Sequence, residues 1–252
     1  MPENILILMT ASALCFALAV AIRLPGRKAI TDGLANILAD IFAWAGLIFL
    51  VSAAMCGWME TRRLPVYGRL ETNLHVGLIL AICVELGGRR PHLSVIQPWG
   101  RTVVCALIVV ALFTHDGLNP NFYMYQFLSV QLFFFLRLSA GGVLIFAFLL
   151  FASTWIRLLV SSTNEKPGAT RAAATALILG AVLFLGSEFS GTLWSSLNYG
   201  DTWHWSRNFF RSSAVFLLLM LPLHAPASFK KNVRTAGLGA VCTAAVIMEI
   251  VL

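Results

Sequence analysis

Long apolar runs separated by short polar segments account for almost the whole chain. Eight can be drawn, over 4–23, 34–56, 70–87, 101–115, 128–153, 172–192, 208–225 and 235–252. Most approach the roughly 20 residues that an α-helix needs to cross a hydrocarbon core of about 30 Å. The pattern predicts an all-α fold, a polytopic membrane helix bundle of about eight transmembrane helices. The fourth run is the shortest. The fifth is long enough that its start is expected to lie along the interface. No linker, low-complexity tract or repeat divides the chain, so 1–252 reads as a single integral membrane domain. The first run, Ile5 to Ile22, has no basic segment before it and a basic loop (Arg23, Arg27, Lys28) after it. It reads as a retained first helix rather than a cleaved signal.

Composition sharpens this picture. The chain is 59% hydrophobic and 12% charged, about half the charge of a soluble domain, which excludes a sizeable soluble domain. The charges also choose an orientation. Of 18 Lys and Arg residues, most lie in the odd-numbered loops: Arg23, Arg27, Lys28; Arg89, Arg90, Arg101; Arg157, Lys166, Arg171; and Lys230, Lys231, Arg234. Basic loops stay in the cytoplasm. Both termini and the even loops are therefore expected to be extracytoplasmic, in a bacterial-type inner (cytoplasmic) membrane. The net charge of +7 follows from that bias and from attraction to anionic membrane lipid; no nucleic-acid module is present. Cys15, Cys56, Cys83, Cys105 and Cys242 are scattered in or beside apolar runs. Without CxxC or CxxCH spacing they offer neither a zinc pattern nor a covalent heme site.

One polar segment has a different character. Between the sixth and seventh runs stands Trp194-Ser-Ser-Leu-Asn-Tyr-Gly-Asp-Thr-Trp-His-Trp-Ser206, read as an extracytoplasmic tryptophan-rich loop over about 193–207. Gly200 permits a tight turn, and Trp203 and Trp205 would face one side of an extended segment. An indole at a membrane interface needs no ligand to explain it, so the cluster, rather than any single ring, carries the interest. Arg207 and Arg211 follow, four apart and hence on one helical face. They are suited to a pair of carboxylates, or to lipid phosphate by snorkelling.

The run Tyr199-Gly-Asp-Thr-Trp-His-Trp-Ser206 resembles the tryptophan-rich "WWD" signature of the heme-handling proteins of cytochrome c maturation, the CcsA/ResC, CcmC and CcmF group. Gly57-Trp58, Pro65 and Glu71-Thr72 resemble the segment before that family's third span. Phe133-Phe-Phe-Leu-Arg-Leu-Ser139 resembles its WLxxHVS segment, and Leu223-His224 closes the span after the loop as a histidine does in the family. The resemblance covers roughly 45–252. It implies a heme b platform on Trp203 and Trp205, with Trp194 and Gly200 shaping the loop, Arg207 and Arg211 on the propionates, and His224 as an iron ligand at an inner site. Partners implied are a CcsB/ResB-like protein and an apocytochrome c. The chain departs from the family in three places. The signature Asp is Ser206, the histidine of the WLxxHVS segment is Arg137, and no histidine closes the last span. The two departures at histidines remove what the family uses as external iron ligands.

Helix rise separates His224 from the loop. Eighteen residues at about 1.5 Å each span roughly 27 Å, so His224 belongs to the opposite face of the bilayer. A helix-end histidine bonded to a carbonyl is the alternative to an iron ligand there. His204, between the two indoles, would point away from them. His75 stands four residues after Glu71, and a hydrogen bond between the two explains a histidine inside a span. Ionisable residues in spans are costly and need partners. Arg137 has Glu188 or an anionic ligand available, while Asp40 and Glu249 are expected to face the bundle interior or another subunit. No catalytic triad, paired acid–base carboxylates, P-loop or dinucleotide motif is visible, and whether the chain is an enzyme stays open. Two functions follow. One is a heme-handling membrane protein of the cytochrome c biogenesis type. The other is a non-catalytic relative serving as a membrane subunit of a larger redox complex, docking a multiheme cytochrome or another extracytoplasmic partner. A transporter or a quinone-binding anchor is a third, weaker reading.

Overall fold

A computed structural model describes residues 3–23, 32–90, 93–114, 118, 126–160, 167–200, 207–225 and 233–251. Eight α-helices follow one another: α1 (Glu3–Ile22), α2 (Asp32–Thr61), α3 (Arg69–Gly87), α4 (Gln97–Phe113), α5 (Leu128–Val160), α6 (Pro167–Tyr199), α7 (Arg207–Leu223) and α8 (Val233–Val251). No strand occurs among the described residues. Seven of the helices are long and apolar enough to cross a membrane, and α7 has a shorter apolar stretch, Phe210–Leu223. The chain is a multi-pass α-helical membrane protein. Its surface chemistry agrees: Ile37, Ile41 and Ile48 stand exposed along one face of α2, while Arg101, Glu85, Arg63 and Glu71 are buried. That inside-out distribution suits a lipid solvent, where apolar side chains face outward and charges must be paired within the protein.

The helix boundaries differ from the apolar runs in instructive ways. α4 starts at Gln97, with a 3₁₀ turn over Ser94–Ile96 leading into it. The fourth span is therefore not short. Arg101 had marked its start as a loop charge, but the residue lies one turn inside the helix, where carboxylates satisfy it. Pro98 sits in the first turn, where its missing N–H costs nothing. α5 is one unbroken helix of 33 residues, about 50 Å long, and α6 matches it. Both outlast a hydrocarbon core by roughly 20 Å.

The helices form two compact units, Met1–Asn121 and Phe122–Leu252. In the first, α1 packs on α2 and α4, and α3 packs on α4 and more lightly on α2. Met9 and Phe16 of α1, Leu50 of α2, Leu74 and Leu80 of α3 and Ile108 of α4 form its core. α3 and α4 approach closely at Gly100, where a Cβ would come within 2.4 Å of Val84 Cγ2. In the second, α5 packs on α6 and α8, and α7 packs on α8 and more lightly on α6. Leu144, Leu150, Phe184, Leu219 and Val246 are buried between them.

Candidate functional site

The tryptophan-rich segment begins as helix, not loop. α6 continues to Tyr199, so Trp194 to Tyr199 lie on its last turns, because Ser195, Ser196 and Asn198 interrupt hydropathy without breaking the helix. The Asn198 amide donates back to the Trp194 carbonyl at 2.9 Å. Gly200 ends the helix. Its N–H bonds the Ser196 carbonyl at 3.0 Å and its φ is +71°, the left-handed conformation that glycine adopts without strain. Trp194 and Tyr199 meet edge to face, with ring centroids 5.4 Å apart. The indole Nε1 of Trp194 is buried with no hydrogen-bond partner among the described residues. Trp203, His204 and Trp205 lie outside the described residues, as does the side chain of Arg207.

In the same half of the second unit, each helix contributes one ionisable side chain. Arg137 of α5 donates from Nη1 to Glu188 Oε1 of α6 at 2.8 Å, and Arg211 of α7 donates from Nε to Glu249 Oε2 of α8 at 2.8 Å. Arg137 also lies within electrostatic reach of Arg211 and Glu249. The quartet has two guanidiniums and two carboxylates, so its formal charge cancels. It lies toward the starts of α5 and α7 and the ends of α6 and α8, with Arg137 and Glu188 about two and a half to three turns inside their helices. Arg137 has Phe133 and Phe184 rings at 5.4 and 5.5 Å, so an aromatic sleeve surrounds its guanidinium. Glu249 does not face an interior: its side chain is 44% exposed and Arg211's is 52% exposed. Two exposed chains at the end of a bundle reach each other where neither could find a buried partner.

Among the described residues, this end offers no histidine as an iron ligand. The resemblance puts an outer histidine at Arg137 and another near the close of α8. Arg137 stands at the first position, committed to an ion pair, and a guanidinium is no iron ligand; the described end of α8 carries no histidine, and Glu249 there is paired with Arg211. Arg211, suited by sequence to a propionate, is engaged by Glu249.

His224 follows the last turn of α7. Its N–H bonds the Met220 carbonyl at 3.0 Å, and its ring Nδ1 lies 2.9 Å from that same oxygen. A carbonyl only accepts, so Nδ1 is the donor in this contact. The ring is exposed.

In the first unit, Glu71 and His75 are both buried on α3. The carboxylate of Glu71 is held by Arg63, through Nη1–Oε2 and Nη2–Oε1 bonds of 2.8 Å each, and it also accepts the Tyr67 N–H at 2.8 Å. Arg63 follows the end of α2 outside any apolar run, yet it is 5% exposed. At the other end of α3 a second cluster forms. Arg101 grips Glu85 through Nε and Nη2, both at 2.8 Å. Its Nη2 also donates to Asp40 Oδ1 at 2.8 Å, which receives Arg23 Nη2 at 3.0 Å as well. Asp40 is thus a bridge between two guanidiniums, with its side chain half exposed. Glu85, Arg63 and Gln97 escaped sequence reading. For Glu85 a signal was present: an acid enclosed by the apolar run of α3 requires a cation.

All five cysteines are free thiols, and the described residues contain no cluster of three or more metal-binding side chains. No protein-family model matches the chain, and no curated protein matches it.

Proposed function

We propose that this chain is a non-catalytic, CcsA-like integral membrane subunit of a larger redox complex, whose tryptophan-rich face docks a cytochrome or another extracytoplasmic partner. The observation that carries this reading is the neutral quartet of Arg137, Glu188, Arg211 and Glu249. Ion pairs stand where the resemblance would put iron and propionate ligands, so the scaffold keeps its surface without its outer heme chemistry. The end of α6 supplies a surface to dock on. Phe189, Leu193 and Leu197 recur every four residues and are exposed, and Tyr199 is exposed on another face at the helix end. Aromatic residues of that kind dominate protein interfaces. The reading takes α7 as an eighth crossing, which places both termini and residues 194–206 outside a bacterial-type inner membrane, with basic loops inside.

A second reading, heme handling of the cytochrome c biogenesis type with heme b and a CcsB/ResB-like partner, draws on His224. A neutral imidazole whose Nδ1–H is tied to a backbone carbonyl presents Nε2 as an axial ligand.

Purification from native membranes in mild detergent separates the two. The subunit reading expects a protein without a b-type reduced-minus-oxidised spectrum that co-purifies with a stoichiometric extracytoplasmic partner. That partner is lost in a Trp203→Ala/Trp205→Ala variant whose melting temperature is unchanged. A b-type spectrum in the wild type that disappears in His224→Ala overturns it in favour of heme handling. Cysteine labelling that places residues 194–206 in the cytosol removes both.

A further inference from the structure

A pocket of about 660 Å³ opens in the first unit where α1 and α3 finish and α2 and α4 begin. One wall is apolar, made by Ile37, Ile41, Ala45 and Ile48 of α2. Three of these, Ile37, Ile41 and Ile48, are exposed on a helix that spans the membrane, so the wall continues into the lipid-facing surface. The other wall is polar: Asp40, Glu85 and Gln97 line it. At the rim the Arg89 guanidinium lies 4.8 Å from the centroid of the Trp44 ring. A chamber with one aliphatic side open to lipid and one charged side takes an amphiphile.

The hydrogen bonds already made specify its headgroup. Asp40 uses Oδ1 for both Arg23 and Arg101, and among the described residues Oδ2 accepts no other bond. Gln97 Oε1 accepts Arg23 Nη1 at 2.6 Å, which orients the amide so that its NH₂, bonded to no acceptor among the described residues, can donate. Arg89 is exposed and forms no ion pair among the described residues. Arg23 Nε and Arg101 Nη1 are buried without partners among the described residues, so the cluster has more donors than acceptors. Arg23, Arg89 and Arg101 outnumber Asp40 and Glu85 by one charge. The site therefore favours a ligand with one net negative charge and several acceptor oxygens. Asp40 already touches two guanidiniums, so a third cation at Oδ2 would meet their repulsion, whereas a neutral hydroxyl would not. Ammonium headgroups are disfavoured on that ground.

We propose that this pocket binds an anionic phospholipid whose headgroup bears free hydroxyls, of the phosphatidylglycerol class. Its phosphate sits between Arg89 and the Gln97 amide, a headgroup hydroxyl donates to Asp40 Oδ2, and an acyl chain runs along Ile37, Ile41 and Ile48. A phosphate on Arg89 makes the charge-assisted bonds for which guanidinium is suited. The proposal depends on the membrane character of the chain and on no reading of its function.

The test is a melting experiment on delipidated full-length protein in a neutral detergent. Dioleoyl phosphatidylglycerol, phosphatidylethanolamine or phosphatidylcholine is added at equal mole fraction, with sn-glycerol 1-phosphate as a soluble control. Phosphatidylglycerol alone is expected to raise the melting temperature by several degrees. Arg89→Gln should weaken the apparent affinity about tenfold or more, the loss expected of one charge-assisted hydrogen bond. Ile41→Trp, which fills the chamber from its exposed wall, should abolish the shift; should Arg89→Gln fold poorly, this variant reads the same site. Equal stabilisation by phosphatidylcholine, an unchanged response in either variant, or no response to any lipid overturns the proposal. A shift with glycerophosphate alone assigns the site to a soluble phosphate ester and overturns the lipid assignment.

Discussion

Arg137 and Glu188, 51 positions apart in sequence, meet at 2.8 Å between α5 and α6. Their side chains are 21% and 31% exposed, so the pair sits between a buried and a surface ion pair in character. Removing one partner of a fully buried pair costs about 3–5 kcal/mol, and exposed pairs contribute about 0–1 kcal/mol. Glu188→Gln should therefore destabilise the protein by about 1–2 kcal/mol. The double replacement Arg137→Met/Glu188→Met should recover most of that, because it strands no charge. Melting temperatures of the wild type and the two variants in one detergent decide the matter; a double variant as unstable as the single one would show that packing, not charge, dominates.

Arg63 and Glu71 lie at the other extreme. Both are buried, the contact is bidentate, and the Tyr67 amide completes it. Glu71→Gln leaves a desolvated guanidinium with half its partner, and a loss of about 3–5 kcal/mol is expected. The same substitution at Glu249, whose pair with Arg211 is about half exposed, should cost under about 1 kcal/mol. Chemical unfolding of both variants ranks them, and a larger loss at Glu249 would contradict the burial order.

The turn that delivers Arg63 inward carries its own cost. Arg62 has φ +55°, and its N–H closes α2 on the Trp58 carbonyl at 2.8 Å. A residue with a Cβ pays about 1 kcal/mol in that conformation, and the side chain is exposed. Arg62→Gly should raise stability by about 0.5–1 kcal/mol, whereas Gly200→Ala, at φ +71°, should lower it by about 1 kcal/mol.

The helices were legible because lipid imposes one rule on every span: some 20 apolar residues without unpaired charge. The rule fails where a charge is paired. Arg101 was read as the limit of the fourth span, yet the helix runs past it because Glu85 and Asp40 neutralise it. The pairing of Arg137 with Glu188 followed from depth, since both fall near the same end of adjacent runs. The Arg63–Glu71 pair could not be anticipated that way, because its geometry depends on the Arg62 turn. The end of α6 was misread for a related reason. Serine and asparagine lower hydropathy, but they do not stop a helix that the following glycine will cap. The rings that motivated the functional reading, Trp203 and Trp205, lie beyond the described residues, so the quartet and the α6 stripe carry it instead.

Close helix contact in the second unit rests on small residues, as expected where lipid supplies no hydrophobic drive between helices. A Cβ placed on Gly239 of α8 would stand 2.6 Å from Cδ1 and 2.7 Å from Cε1 of the Phe151 ring on α5. Phe151 is 3% exposed, so the ring has no solvent to retreat into, and either it leaves its rotamer or the helices part. Overpacking of this kind costs about 1–3 kcal/mol. Gly239→Ala is therefore expected to lower the melting temperature clearly. Gly33→Ala, with nothing within 4 Å of its Cβ position, should be neutral or stabilising by up to about 1 kcal/mol through helix propensity. Because the contact joins α5 to α8, a methyl at Gly239 should also weaken the Arg211–Glu249 pair less than it weakens the core: the pair is exposed and its long side chains can follow a small helix displacement. Combining Gly239→Ala with Glu249→Gln should accordingly give nearly additive losses, within about 0.5 kcal/mol. Strong non-additivity would mean that the quartet and the α5–α8 core respond as one element.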